Sequence, residues 1–336
     1  MKTEKIAILY LTRGGGRLAS RLTPLLPQST VYPCKGTLRQ TIVSCWQEYD
    51  HLVCIMATGI VVRMIAPLLA DKRTDPSVIV CDEKGRFAIS LLSGHIGGGN
   101  GLAEKIAAGV GGQAVITTAS DVLGHTALDL WAEELGLVVA DKPAFTKVMG
   151  KLVNTGRITL YAGFPLPPLP ADIVRVDHPE KADLVISCRS KKYLGAVLLN
   201  PRALVAGMGC NRHTPAEEFD VALAEACSEH GLALQSVRSL ASIDLKSDEA
   251  GLLEFAKTRG YHIDFYDRDQ LNGVDGVSTS AAVLKATGAK GVAEPAAVLA
   301  AGGGRLLVKK MKWKNVTVAI AEISNPLSVS PNEPAL

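Results

Sequence analysis

The chain has 336 residues, 47% apolar and only 5% aromatic, with 36 basic against 33 acidic side chains and a net charge of +3. That length exceeds one ordinary core, at roughly 100–200 residues per domain. The near balance of charge argues against a nucleic-acid binder, and no apolar run reaches the ~18–20 residues that span a bilayer. The apolar stretch Ile6–Leu11 is short and lacks a small-residue cleavage site, so it reads as a first buried strand and not a signal peptide. Seven cysteines stand singly at 34, 45, 54, 81, 188, 210 and 227, with no CxxC. Such scattered thiols suit a reduced, cytoplasmic protein and make a zinc site an unattractive reading.

Short β-branched runs alternate with helical stretches along the first 140 residues. Lys5–Leu11 reads as a strand, and Gly14–Gly16 open a helix through Leu26. Thr37–Glu48 reads as a helix, His51–Ala57 as a strand, and Gly59–Ala70 as a helix that Pro67 ends or kinks. Val78–Cys81 and Phe87–Leu92 flank the hairpin turn Asp82-Glu83-Lys84-Gly85-Arg86. A helix at Asn100–Ala108, a strand at Ala114–Thr118 and a helix at Thr126–Leu135 follow. This alternation predicts a doubly wound, mostly parallel α/β domain over 1–140.

Residues 141–202 read as a small basic middle module. Lys142–Arg212 holds eleven Lys or Arg against four Asp or Glu, and Phe164-Pro-Leu-Pro-Pro-Leu-Pro170 favours an extended connector. Ala182–Cys188 and Ala196–Leu199 look like strands. A second α/β domain is expected over 203–324. Its strands are Leu204–Met208, His262–Phe265, Arg305–Lys310 and Asn315–Ala321; its helices start near Pro215 and span Asp248–Arg259 and Pro295–Ala301. Thr214-Pro-Ala-Glu217 matches a capping box. The tail, 325–336, holds three prolines and reads as loosely ordered.

The segment richest in chemistry is Ser93-Gly-His-Ile-Gly-Gly-Gly-Asn100, between a strand and a helix. Its glycines let backbone N–H groups approach a ligand, and a helix start favours an anion. His95 is the loop's one side chain that exchanges a proton near neutral pH. The same loop also reads as a tight turn capped by Asn100. Thr58 and Gly59 stand at another strand-to-helix junction, where both could cap the helix and face the same crevice; Arg63 could hold a carboxylate in a fork. A solvated arginine beside an ordinary cap is the plainer reading. Asp121 and His125 follow a third strand, where a carboxylate could orient a histidine or simply cap a helix. Gly207, Gly209 and Arg212 mark a further strand end, and Glu294 precedes Pro295 at a helix start. Cys210 has no neighbour in sequence that marks it as an activated nucleophile.

Met56-Ala-Thr-Gly-Ile-Val-Val-Arg63, Asp82-Glu-Lys-Gly-Arg86 and Ile89-Ser-Leu-Leu-Ser-Gly-His-Ile-Gly-Gly-Gly-Asn100, in that order and spacing, resemble the N-terminal domain of the cobalt-precorrin-5A hydrolase family. Residues 203–322 resemble that family's C-terminal domain through Gly207-Met-Gly-Cys210, Glu294 with Ala296-Ala-Val-Leu-Ala-Ala-Gly302, and Asn315-Val-Thr-Val-Ala-Ile320. The basic segment resembles its variable middle module. One small departure is Gly99, where relatives are expected to carry alanine or another small residue.

The resemblance implies a lactone hydrolase of anaerobic cobalamin biosynthesis. Water opens the δ-lactone on the ring A acetate of a cobalt-bound tetrapyrrole, and a two-carbon fragment leaves as acetaldehyde. The cobalt arrives with the substrate, so no cofactor and no protein metal site is implied. The expected partners are the cobalt-corrinoid and other corrin-pathway enzymes, with neither nucleic acid nor membrane.

For that reaction His95 is the candidate base, with Asp121 and His125 its nearest competitors, and the Gly97–Asn100 amides are candidate oxyanion donors. Thr58, Gly59, Arg63, Ser93, Gly94, Gly97, Gly98, Asn100, Gly207, Gly209, Arg212 and Glu294 are the candidate substrate contacts. A crevice between two α/β domains is expected to hold the disc-shaped substrate. Two rival readings stand beside this one. A non-catalytic corrinoid carrier would bind without releasing acetaldehyde, and a phosphate-binding enzyme would take nucleotides on the glycine-rich loops.

Overall fold

The computed structural model describes residues 4–71, 74–94, 97–118, 123–324 and 327. The chain divides into two compact units, Met1–Leu130 and Trp131–Leu336. Its architecture is α/β throughout, with three mostly parallel sheets.

In the first unit, strands Ile6–Tyr10 (β1), Ser29–Pro33 (β2), His51–Ile55 (β3), Ser77–Cys81 (β4), Phe87–Leu92 (β5) and Gln113–Val115 (β6) form one sheet in the order β2-β1-β3-β4-β5-β6. Apolar side chains alternate across the strands and are buried on both faces, which is why these runs read as continuously hydrophobic. Ile8, Val53, Ile55 and Ile79 pack under helices Arg13–Leu22 (α1) and Gly99–Val110 (α4). Leu9, Leu52, Cys54 and Val80 pack against Leu38–Glu48 (α2) and Thr58–Ile65 (α3) on the other face. The first helix starts at Arg13 because Thr12 caps it, its hydroxyl accepting from the Gly15 amide at 3.0 Å. It ends at Leu22, earlier than the expected Leu26. Pro67 acts as expected: α3 stops at Ile65 and gives way to a 3₁₀ turn, Ala66–Leu68.

Strand direction decides where the site candidates fall. Strands β1 to β4 are parallel. The hairpin turn reverses β5, so Val78 lies opposite Leu92 and Cys81 opposite Ala88. Strand β6 runs parallel to β5. Strands β5 and β6 therefore finish on the edge where β1, β3 and β4 begin.

The second unit holds two sheets. Leu137–Val139 (β7), Ile158–Ala162 (β8), Ile173–Arg175 (β9), Leu184–Ile186 (β10) and Val197–Pro201 (β11) are ordered β7-β11-β10-β8-β9. Only β7 is antiparallel. A helix over Lys142–Thr155 packs beside this sheet through Phe145, Val148 and Leu152. The middle region thus carries a sheet and a helix of its own, where two strands and a connector were expected. Residues 165–170, the proline run, carry no regular element.

Leu204–Cys210 (β12), Val237–Ile243 (β13), His262–Tyr266 (β14), Arg305–Lys312 (β15) and Val316–Glu322 (β16) form the third sheet, ordered β14-β13-β12-β16-β15. Strand β13 was not expected. The capping box is also corrected. The helix begins at Ala216 after Pro215, and Thr214 instead donates its hydroxyl to the Asn211 carbonyl at 2.9 Å. A capping box does form at Asp267 and Gln270. Among the described residues no helix is long and apolar enough to cross a membrane.

Candidate functional site

The sequence-derived candidates of the first unit lie on two opposite edges of its sheet. Thr58, Gly59 and Arg63 follow β3, at the carboxyl edge of the parallel strands. Ser93, Gly94 and Gly97–Asn100 follow β5, at the amino edge of those strands. The expectation of one shared crevice is corrected. A five-residue strand at about 3.3 Å per residue separates the two edges by roughly 16 Å.

The carboxyl edge contains the switch point of the fold. Strand order β2-β1-β3 sends α1 and α2 to opposite faces, and ligands in such sheets settle where the loops part. A cavity of about 340 Å³ sits there, between Thr12, Thr58 and Glu83. A neighbouring one of about 420 Å³ is lined by Arg13, Arg17 and Lys35. Sequence reading passed over Thr12–Arg17, although a glycine run after the first strand was the available signal. Thr58 is the first residue of α3 and makes no side-chain cap, so its capping role is corrected. Arg63 is exposed and turns back along its helix, donating from Nη1 to the Gly59 carbonyl at 2.9 Å. Gly59 matters because a Cβ there would sit 3.2 Å from that nitrogen. Glu83 reaches over the start of α1, and a Cβ on Gly14 would overlap its carboxylate. Asp82 is engaged by its own turn, accepting from the amides of Lys84 at 2.9 Å and Phe87 at 2.8 Å.

At the opposite edge the loop folds tightly on itself. Ser93 adopts φ +52°, a strained conformation for a non-glycine, and its hydroxyl donates to the Asp75 carbonyl at 3.2 Å. A Cβ on Gly94 would approach Asn100 Oδ1 to 2.4 Å, and one on Gly97 would approach the Ser93 carbonyl to 2.6 Å. Gly98 is left-handed at φ +69°. The Gly99 amide donates to Ser93 at 3.3 Å and the Asn100 amide to Gly94 at 2.8 Å. Those two amides are therefore engaged within the loop, which corrects half of the expected oxyanion donor set and leaves Gly97 and Gly98 as its candidates.

Asn100 is the second residue of α4 and not its cap, and its Nδ2 donates to Thr118 Oγ1 at 3.3 Å. That bond ties the segments after β5 and β6 together on one edge. His95 and Asp121 lie outside the described residues. His125 is half-buried, ahead of the helix Leu128–Glu134.

A buried histidine that sequence reading missed underlies this loop. His51, only 4% exposed, binds Ser77 Oγ through Nδ1 at 2.7 Å and Glu4 Oε2 through Nε2 at 3.0 Å. The set has the members of a nucleophilic triad. Ser77 is fully buried, however, and Gly97 and Gly99 pack against its Cβ. That burial leaves no room for a substrate carbonyl at its hydroxyl, and the chain of three acts as a support for the loop. Its position inside the strand HLVCI hid it among apolar neighbours.

The third-sheet candidates have structural duties. A Cβ on Gly207 would meet the Ala293 carbonyl at 1.9 Å, and one on Gly209 would meet Thr317 Oγ1 at 2.6 Å. Both glycines let neighbouring elements close on β12. Arg212 is clasped by Asp248 and by the Leu245 carbonyl at 2.9 Å. Glu294 is 3% exposed and accepts from the amides of Ser278 at 2.5 Å and Lys310 at 2.7 Å. Burial pushes its pKa up, but these bonds outweigh that and hold it below the usual glutamate value. Each of these four residues thus has a structural duty, whatever it contributes to binding. Burial pushes the Cys210 thiol up to about 11, which keeps it protonated and unreactive at neutral pH.

Both ends of the chain match known families: cobalamin synthesis G N-terminal over residues 40–121, and cobalamin synthesis G C-terminus over 204–321. The fold is thus that of a cobalamin synthesis G protein. The chain is similar to cobalt-precorrin-5A hydrolase of Priestia megaterium, 36% identical over 94% of each chain. It is also similar to cobalt-precorrin-5A hydrolase of Salmonella typhimurium, 32% identical over 95% of this chain and 98% of the relative. Protein CobE of Sinorhizobium sp is 38% identical over 35% of this chain and 79% of its own length. The chain belongs to the cobalt-precorrin-5A hydrolase family.

Proposed function

We propose that this chain hydrolyses cobalt-precorrin-5A to cobalt-precorrin-5B and acetaldehyde. Water adds to the lactone carbonyl, the acyl C–O bond breaks, and the ring A acetate is restored as a carboxylate. The freed oxygen stays on the two-carbon fragment, which departs as acetaldehyde when its C–C bond to the macrocycle breaks. The bonding pair remains on the macrocycle, and the cobalt is part of the substrate. The observation that carries this reading is the match across nearly the whole chain to two relatives named for this activity. Incubating the pure protein with cobalt-precorrin-5A, without added metal or nucleotide, is expected to release one acetaldehyde per substrate. Stoichiometric binding of intact substrate with no acetaldehyde would favour the carrier instead.

In this reading the chemistry takes place on the edge where β5 and β6 end. His95 is the proton-transfer residue, and the Gly97 and Gly98 amides face the oxyanion. Asp121 and His125, which follow β6 in sequence, are the competitors of His95 for that role. Arg63 serves the opposite edge, where Arg13, Arg17 and Lys35 add three more positive charges for the substrate's carboxylates. Arg63→Ala is expected to raise KM about 10- to 100-fold, the effect of losing one charge-assisted pair, with turnover at saturation nearly kept. An unchanged KM removes Arg63 from substrate binding.

A further inference from the structure

The middle sheet has a switch point of its own. From β8 the chain passes to β9 on one side, then returns across the sheet to β10 on the other. The carboxyl ends of β8 and β10 therefore part, the arrangement that receives ligands in parallel sheets. A cavity of about 440 Å³ opens there. Tyr161 and Phe164 line it from the end of β8, Arg189 and Tyr193 from the segment after β10, and Arg305 and Glu322 from the third sheet.

Three properties describe what fits. The chain is only 5% aromatic, yet two tyrosines and a phenylalanine meet at this one cavity, which suits a flat ring. Its charge is positive: the lining carboxylate, Glu322, is paired with Arg305 at 3.1 Å. Arg189 lines the cavity and donates from Nη1 to the His230 carbonyl at 3.0 Å, one of the five donors its guanidinium carries. Lys191 adds charge, lying 5.4 Å from the Tyr193 ring centre. Leu194, next to Tyr193 in the chain, is a fully exposed apolar side chain. Finally, neither β8 nor β10 leads directly into an α-helix. The helix start that cradles phosphate is missing here, so the guanidinium fork favours a carboxylate.

We infer that this cavity binds the carboxylate-bearing edge of a cobalt tetrapyrrole, with Arg189 on a carboxylate and Tyr193 against the ring. The cavity takes one edge of the macrocycle, and the rest lies outside it. This inference rests on the corrinoid reading above and adds a site that it did not include.

The test is a spectroscopic titration of the full chain with two cobalt corrins. One is dicyanocobyrinic acid, with free carboxylates; the other is dicyanocobinamide, whose carboxylates are amidated. Arg189→Gln keeps a donor for the His230 carbonyl but removes the charge. It is expected to weaken the acid about 10- to 100-fold and leave the amide unchanged. Tyr193→Ala, in a largely exposed segment, is expected to weaken both about 2- to 10-fold. A merely structural role for Arg189 would move both ligands alike and would overturn the inference. So would wild-type affinity for the acid in both variants. If the unmutated chain bound neither corrin but did bind ATP, the corrinoid reading itself would fall.

Discussion

His95→Ala is expected to lower acetaldehyde release about 10²- to 10⁴-fold, the usual loss when a positioned proton-transfer group is removed. Binding of the intact substrate should change little, because an alanine deletes no carboxylate partner. His95→Gln should behave in the same way, since an amide neither accepts nor returns a proton at neutral pH. The competitors Asp121 and His125 belong in the same assay, as both follow β6 in sequence. His51 is a different control. It is buried between Ser77 and Glu4, so His51→Ala should lower the urea midpoint before it touches the chemistry. Near-normal release by His95→Ala, with loss in Asp121→Asn or His125→Ala, would show that the base had been misplaced. Activity in all three would move the chemistry away from this edge altogether.

The same hairpin shows what the sequence could and could not convey. Its turn, Asp82–Arg86, was legible, and so was the strand on either side. Reversing β5 carries the loop after it to the far edge from Thr58 and Arg63. Edge placement depends on direction summed over several strands, and no local pattern contains it. The middle region failed for another reason. Asp141, Pro143 and Gly156 punctuate the helix Lys142–Thr155, and Phe145, Val148 and Leu152 repeat at helical spacing. The basic charge and the proline run drew the reading toward a connector and hid that period. Strand β13 was hidden by polarity. Its sequence VRSLASI carries two serines that look like loop residues, yet Ser242 is fully buried and donates to the Met208 carbonyl at 2.7 Å. The glycines were read as ligand-approach points, but Gly207 and Gly97 are needed first by packing that only three dimensions reveal.

Gly207→Ala is expected to destabilise the second unit by about 3 kcal/mol or more, although it adds a single methyl group. Its Cβ would meet the carbonyl of Ala293 at 1.9 Å and the amide of Ala297 at 2.7 Å. Both are backbone atoms of the helix Ala293–Ala300, so no side-chain rotation relieves the overlap. The helix must withdraw from β12, and Glu294, next to Ala293, moves with it. Glu294 holds the Ser278 amide and takes the Lys310 amide where the register of β15 shifts. Withdrawal loosens these bonds together with the packing. The pH dependence separates this mechanism from a local clash. Because the folded pKa of Glu294 is depressed, its contribution is present above the unfolded glutamate value and fades as pH falls through the folded one. Urea midpoints measured from pH 7 toward pH 3 should therefore fall less steeply in Gly207→Ala than in the parent. Gly150→Ala provides the control in the same unit: it lies inside the helix Lys142–Thr155, and its Cβ meets nothing within 4 Å. That exchange should stabilise by about 0.5–1 kcal/mol, through helix propensity alone. Equal midpoints for Gly207→Ala and the parent would mean that the helix is not held against β12 as closely as these distances require.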